Sequence, residues 1–207
     1  DISYGREAGY VLKLLATARR APEGLDVRVH TAFIPAASPL ADVSSAFNAV
    51  LLQSVALGAS LYSGRGAGDM PTGSAVVSDI IDTCRNLLAG VSGRLPLPCP
   101  PHVHDVPLLS SGERRGPVYL RFSVSDEPGV LGRIASVLGE KGVSINSVLQ
   151  RPPRPADAHA TIVVFTHDTR EADVGAAVTW IDSLRSTRAP TQVIRIEEGP
   201  GVLLASR

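Results

Sequence analysis

Apolar and polar residues alternate most clearly in the second half of the chain. Val118, Leu120, Phe122 and Val124 alternate with Tyr119, Arg121 and Ser123, the period-two pattern of a half-buried strand. Asp126-Glu127-Pro128-Gly129 follows, offering a capping carboxylate and an early helical proline. Val130, Leu131, Ile134, Val137 and Leu138 then recur at helical spacing until Gly142 stops the helix. Val143–Gln150 reads as a strand, Arg151–Pro155 as a stiff loop, and Ala160–Thr166 as an apolar third strand. A second amphipathic helix starts near Glu171 and carries Val174, Ala177, Val178, Ile181 and Leu184. Thr191–Glu197 closes with a strand in which Ile194 and Ile196 share a face. The order βαββαβ predicts a four-stranded antiparallel sheet with both helices on one face, the ferredoxin-like arrangement. No catalytic constellation lies within it, which favours binding over chemistry.

The first half is less regular. Tyr10–Ala18 holds an apolar run, Val27–Ile34 reads as a strand, and Phe47–Leu57 as one or two more. A glycine-rich segment, Gly64–Gly68, runs into a helix expected to begin near Pro71. Val76, Val77, Ile80, Ile81, Cys84, Leu87 and Leu88 give that helix a broad apolar stripe. Between the halves, prolines from Pro96 to Pro101 and again at Pro117 fix φ and remove donors, so residues 91–116 read as an extended tether. The predicted organisation is α/β (α+β): a first unit over residues 1–90, a linker over 91–116, and the βαββαβ unit over 117–198.

Composition narrows the function. Hydrophobic residues make up 44 % of the 207 and charged residues 19 %, ordinary for a globular protein. Lys+Arg and Asp+Glu are 20 each, so no global field favours nucleic acid or an anionic membrane. No run approaches the roughly 18 apolar residues of a membrane span, and Asp1-Ile2-Ser3 opens neither with Met nor with a signal peptide. The two cysteines, Cys84 and Cys99, make no disulfide framework, and a reduced cytoplasmic protein is expected. His102, His104, Asp105 and Cys99 are close in sequence but lie in a proline-stiffened linker, and a zinc site needs about four ligands in fixed geometry; no metal is expected. Trp180 reads as a packing residue, Arg114-Arg115 as a solvated pair, and no serine has a base placed beside it.

The segment Gly64–Ser74 carries the most chemistry. Three glycines in five residues permit positive φ and present N–H groups without side-chain obstruction. The following helix adds its positive dipole end, able to receive an anion or a carbonyl, although spacing alone favours a tight turn packing a helix onto a sheet. The loop lacks the frame of a dinucleotide fingerprint.

Sequence elements in order make the first half resemble the homoserine dehydrogenase family: Asp1-Ile2, Gly9-Tyr10-Val11-Leu12-Lys13-Leu14-Leu15-Ala16, Arg28-Val29-His30, Pro39-Leu40, Asn48-Ala49-Val50, and above all Gly66-Ala67-Gly68-Asp69-Met70-Pro71-Thr72-Gly73-Ser74-Ala75-Val76-Val77-Ser78-Asp79. Thr31 after His30 and Ser38 before Pro39 depart from its pattern. The resemblance implies an oxidoreductase interconverting aspartate 4-semialdehyde and homoserine with NAD(P)(H), on the route to threonine and methionine. It implies that Gly66, Ala67 and Gly68 contact the cofactor in the intact enzyme. The nucleotide-binding half, the acidic substrate residues and the proton-donating lysine of the family are expected upstream of Asp1; Lys13 belongs to a strand. No catalytic residue is therefore assigned here, and the 207 residues alone are expected to bind no cofactor and to be inactive.

The second half resembles an ACT domain through Asp126-Glu127-Pro128-Gly129-Val130-Leu131, Gly142–Gln150 and Thr166-His167. That resemblance implies a regulatory unit that pairs edge to edge, as a homo-oligomer (dimer or tetramer), and binds an amino-acid effector, with threonine the one implied. Asp126, Gly129, Ser144 and Asn146 are the effector candidates. The alternative is a free-standing ACT-type regulator without catalysis, which would have no reason to keep Gly64–Asp79.

Overall fold

The computed structural model describes residues 1–91, 105–151 and 159–198. They form two compact units: Asp1–Ala37 together with the described residues from Pro107 onward, and the described residues of 38–106.

In the first unit a short helix α1 (Ile2–Glu7) leads into strands β1 (Tyr10–Ala21) and β2 (Gly24–Pro35), a long antiparallel hairpin in unbroken register from Tyr10↔Pro35 to Ala21↔Gly24. Gly24 is required at the turn. Its φ is +152°, and a Cβ there would stand 2.3 Å from the Pro107 carbonyl oxygen.

Across the unit's later residues the predicted order appears as β6 (Val118–Val124), α3 (Val130–Glu140), β7 (Ile145–Arg151), β8 (Ala160–Thr166), α4 (Glu171–Asp182) and β10 (Thr187–Ile196). The strands run β10-β6-β8-β7, each neighbouring pair antiparallel. Strand β10 starts four residues earlier than the pattern suggests. Pro190 cannot donate to the ladder, and the register slips between Ala189 and Gln192 to pass it.

The sheet does not stop at four strands. Strand β2 lies parallel to β10 through Ala32↔Arg195 and Phe33↔Ile196, giving the order β1-β2-β10-β6-β8-β7. The N-terminal hairpin thus shares a sheet with the ferredoxin-like unit. The stretch expected to be a free tether is also partly folded onto it. The Leu25 N–H donates to the Pro107 carbonyl and the Leu109 N–H to that of Leu25. A single turn at Ser111–Glu113 is closed by a capping box with Ser110, and β5 (Arg115–Gly116) pairs with β9 (Thr169–Arg170).

Period-two alternation sends the sheet's side chains into two cores. Val118, Leu120, Phe122, Val124, Ile162 and Val164 face the helices and meet Ile134, Val137, Leu138, Val174, Ala177 and Ile181. The opposite face is aromatic: Phe33 and Phe165 both meet the Tyr119 ring edge-on, at 5.2 and 5.4 Å between centroids, and Tyr10 stacks on Phe165 at 5.9 Å. Burial pushes the Tyr119 phenol up to about 12, against the pull of Arg121, so it is a permanent donor, and it donates to Asp1 Oδ1 at 2.7 Å. Helix α1 approaches this second core closely enough that a Cβ on Gly5 would lie 2.3 Å from the Phe33 ring.

The second unit contains the antiparallel pair β3 (Phe47–Ser54) and β4 (Gly58–Arg65), then α2 (Asp69–Leu88). Its apolar stripe is where the spacing puts it, and no residue of α2 is buried: Val76, Val77, Ile80 and Ile81 are 44–56 % exposed. No described helix is long and apolar enough to cross a membrane.

Phe33→Ala tests the joining of the hairpin to the sheet. Phe33 is fully buried, so its truncation is expected to cost about 3–5 kcal/mol of unfolding free energy in denaturant titration. A loss of under about 1 kcal/mol would mean that the hairpin is not part of the cooperative core.

Candidate functional site

Three places bring polar groups together. The first is the turn between β4 and α2. Residues 66–68 are exposed, and Gly68 is the N-cap of α2 with φ +123°, a conformation L side chains rarely adopt. The Gly66 N–H donates to the Ala46 carbonyl at 3.1 Å, and a Cβ on Gly66 would lie 1.7 Å from Asn48 Nδ2. Gly66 is thus a packing glycine whose amide is used. The amides of Ala67 and Gly68 make no hydrogen bond among the described residues. They, with the open first turn of α2, are the donors this loop offers a ligand.

The second place is the turn from β6 to α3. Gly129 caps α3 in the left-handed region at φ 88°, and no side chain caps the helix. The capping carboxylate expected at Asp126 is therefore absent; the left-handed glycine turn sets the helix start three residues later, and Pro128 precedes the helix. Asp126 and Gly129 are exposed. Ser144 and Asn146 are exposed as well. The Ser144 carbonyl accepts the His167 N–H at 2.9 Å, and Asn146 sits where the β7–β8 register slips between Ile145 and Ser147. The side chains of Asp126, Ser144 and Asn146 have no hydrogen-bond partner among the described residues.

The third was not foreseen: a cluster of buried charge where β2, β10 and the start of α4 meet. The Arg28 side chain is 7 % exposed and reaches Asp26 at 2.5 Å and Glu171 at 3.1 Å. Arg195 grips Glu171 with two hydrogen bonds of 2.5 and 2.9 Å. Glu197, 5 % exposed, pairs with Arg19 and lies 3.2 Å from His30 Nε2. Arg114 is no solvated residue: it is 19 % exposed and 3.1 Å from Asp26. Burial pushes the Glu171 carboxyl up, but the hydrogen bonds and charge of Arg195, with Arg28 and Arg114, outweigh it and hold the group below the usual range. Burial, reinforced by Arg195 and Arg28, lowers His30 against the opposing pull of Glu197 and Glu171. The signal in the sequence was the alternation Asp26, Arg28, His30 along one face of a strand; it gave no hint of the partners Arg114, Glu171 and Glu197, all distant in the chain.

Other candidates are placed as follows. Cys84 is exposed and free, and Cys99, His102 and His104 lie outside the described residues. Among the described residues no group of acidic, histidine or cysteine side chains is arranged to hold a metal. Trp180 is 41 % exposed, with the Arg133 guanidinium over its ring at 6.0 Å, so it packs less than its spacing suggested.

Comparison with known proteins adds the following. The family model described as homoserine dehydrogenase matches residues 1–81, and that of the ACT domain matches 118–185. The homoserine dehydrogenase of Neisseria gonorrhoeae is 39 % identical over 95 % of this chain and 46 % of its own length. That of Pseudomonas aeruginosa is 34 % identical over 96 % and 46 %. A crystal structure of a homoserine dehydrogenase from Thiobacillus denitrificans superposes with a TM-score of 0.86 at 38 % identity, covering 96 % of this chain and 45 % of that one. The chain spans about half the length of the relatives it matches.

The lowered His30 gives a prediction with a definite sign. In the unfolded chain the imidazole titrates near its ordinary ~6.5, so the folded state binds fewer protons below that pH. Stability is whole above about 6.5 and falls as pH drops through the folded value. His30→Gln is therefore expected to flatten the pH dependence of unfolding free energy as pH falls below about 6.5, relative to the parent. Parallel profiles for the two proteins would show that His30 does not titrate differently on folding.

Proposed function

We propose a function from one premise: the chain belongs to the homoserine dehydrogenase family and corresponds to its C-terminal part, the end of the catalytic domain joined to an ACT domain. Its relatives by name are oxidoreductases. In our reading the whole protein interconverts aspartate 4-semialdehyde and homoserine, and these residues supply one wall of the cofactor site and the regulatory unit. The observation that carries this is the β4–α2 turn. It has a left-handed glycine at a helix start and two unpaired exposed amides, within the segment that matches the family.

The groups present fit a dinucleotide's polar edge. NAD(P)H would supply the hydride in the reducing direction, and NAD(P)⁺ would accept it in the reverse. The amides of Ala67 and Gly68 would hold and orient an acceptor on it, Gly66 would let Asn48 pack beneath the turn, and the α2 dipole would favour negative charge. On the regulatory side, threonine would be held at Asp126, Gly129, Ser144 and Asn146, all exposed, the side chains of Asp126, Ser144 and Asn146 being unpaired among the described residues, and would bias pairing between copies of the chain in a cytoplasmic homo-oligomer.

Gly68→Ala in the full-length protein tests the cofactor role. A Cβ at φ +123° forces the turn to move and carries the two amides with it. Catalytic efficiency is expected to fall at least about tenfold, a barrier change of ~1.4 kcal/mol, with unfolding midpoint little changed because the turn is exposed. Unchanged kinetics in a folded variant would reduce the turn to a structural connection. The 207 residues alone should show no turnover with homoserine and either nicotinamide cofactor; saturable activity retained after repurification would contradict that.

A further inference from the structure

Helix α1 is fastened at its two ends to two different strands. At its start Asp1 accepts the Tyr119 phenol at 2.7 Å and two bonds from Arg121 at 2.5 and 3.2 Å, both donors standing on β6. At its end Glu7 accepts from Arg151, the last residue of β7, whose guanidinium also lies 5.1 Å over the Tyr4 ring. Between these ends Gly5 is buried, and Tyr4 packs against the aromatic core, as does Leu149 of β7. Strand β8 separates β6 from β7, which at ~4.8 Å per strand puts them about 10 Å apart. The 6 residues of α1, at ~1.5 Å each, make a helix of about 9 Å, as long as the gap it crosses.

The two fastenings differ in strength. Tyr119 is fully buried, and the Arg121 and Asp1 side chains are 29 and 24 % exposed, so that end carries charge-assisted bonds in a partly desolvated place. The Arg151 and Glu7 side chains are 44 and 47 % exposed, and an ion pair so open to water is easily broken. The strands differ in the same sense. Strand β6 lies inside the sheet between β10 and β8, whereas β7 is an edge, with β8 as its one neighbour and a register slip between Ile145 and Ser147. An edge strand can shift without disturbing the core, and its open side is where another strand or a ligand acts.

We propose that α1 is a lever, pivoted at Asp1 on β6 and driven at Glu7 by β7 through Arg151. Helix α1 and the strand it enters, β1, lie in the segment matched to homoserine dehydrogenase, and β6 and β7 in the segment matched to the ACT domain. A piece of the first segment is thus laid across the strands of the second. Gly9, at φ +83° with open space where a Cβ would stand, is the joint at which the moving end turns into β1. The lever rests on the regulatory role proposed above for the ferredoxin-like unit and supplies the part that reads it out. A second copy paired along β7, or an amino acid held at Ser144 and Asn146 at the start of that strand, displaces Arg151 and tilts α1. This route does not pass through the β2–β10 pairing or its charges.

The test is inhibition of the full-length protein by L-threonine, measured beside calorimetric binding of L-threonine to the same variants. Arg151→Glu reverses the charge facing Glu7 at an exposed position that the fold tolerates. It is expected to leave threonine affinity and the uninhibited kcat/KM unchanged, while the factor by which saturating threonine lowers kcat/KM shrinks about two- to fivefold. Combining it with Glu7→Arg restores the pair in reverse and is expected to restore the parental factor, a rescue that lost packing at Arg151 would not allow. Undiminished inhibition in Arg151→Glu, or a double variant as weakly inhibited as the single one, would overturn the lever and leave the regulatory role standing. Loss of threonine binding in Arg151→Glu would place Arg151 in the effector site and would also overturn the lever. A parent protein that binds no threonine at about 10 mM, or binds it without inhibition, would overturn the regulatory role and the lever with it.

Discussion

Two residue pairs, Ala32 with Arg195 and Phe33 with Ile196, are the whole of the ladder between β2 and β10, closed by the Glu197 N–H on the Phe33 carbonyl at 2.8 Å. So short a ladder contributes little by its hydrogen bonds. What makes it decisive is that Phe33 enters the aromatic core of the ferredoxin-like sheet on one side of the junction. On the other side, Arg28 and His30 of the same strand meet Glu171 and Glu197. The first contact supplies hydrophobic burial; the second is an ion network whose desolvation cost offsets much of its attraction. Burial holds the junction together, and the charges fix which strand can occupy it. A hairpin with the same apolar residues but no Arg28 or Asp26 would leave Arg114 without its carboxylate and Glu171 with Arg195 as its one arginine partner.

That junction gives the regulatory reading a physical route. Within one chain, a ligand proposed to act from the ferredoxin-like unit on the hairpin would do so through groups shared by both. Here the shared groups are a strand pair and a charge cluster within one sheet. A change in the position of β10 or in the protonation of the cluster is felt at β2 directly, with no long tether between them. The second unit, with its exposed helix α2, carries the turn at Gly66–Gly68 and a broad uncovered apolar stripe, the kind of surface that another polypeptide segment covers.

Most of the ferredoxin-like unit was legible because period and punctuation agreed. Ala160–Thr166 is a strand over the residues the pattern names, and α4 starts at Glu171 as expected. Local chemistry also marked positive φ within Gly64–Gly68, found at Gly68, but not the left-handed Gly129, which it placed inside the helix. Three things were not legible, and each is non-local. The β2–β10 pairing joins residues about 160 positions apart and leaves no periodic trace. The folding of residues 107–116 beside β2 depends on Gly24 and Asp26, which local proline content cannot report. The short helix α1 is held by Tyr119, Arg121 and Phe33, none of them its sequence neighbours. At the candidate site, spacing indicated the glycine turn but not that the Gly66 amide is already bonded to Ala46, which shifts the ligand donors to Ala67 and Gly68.

The central claim is that the N-terminal hairpin and the ferredoxin-like strands open and close as one structure. Amide hydrogen exchange at the junction measures this most directly, because protection reports the free energy of the smallest opening that frees each N–H. The amides of Phe33, Ile196 and Glu197 are expected to exchange with the same opening free energy as Leu120 and Val164 in the centre of the sheet. Exchange at Phe33 and Glu197 that is a hundredfold or more faster than at Leu120, about 2.7 kcal/mol less protected, would show that the hairpin detaches on its own and would contradict the account.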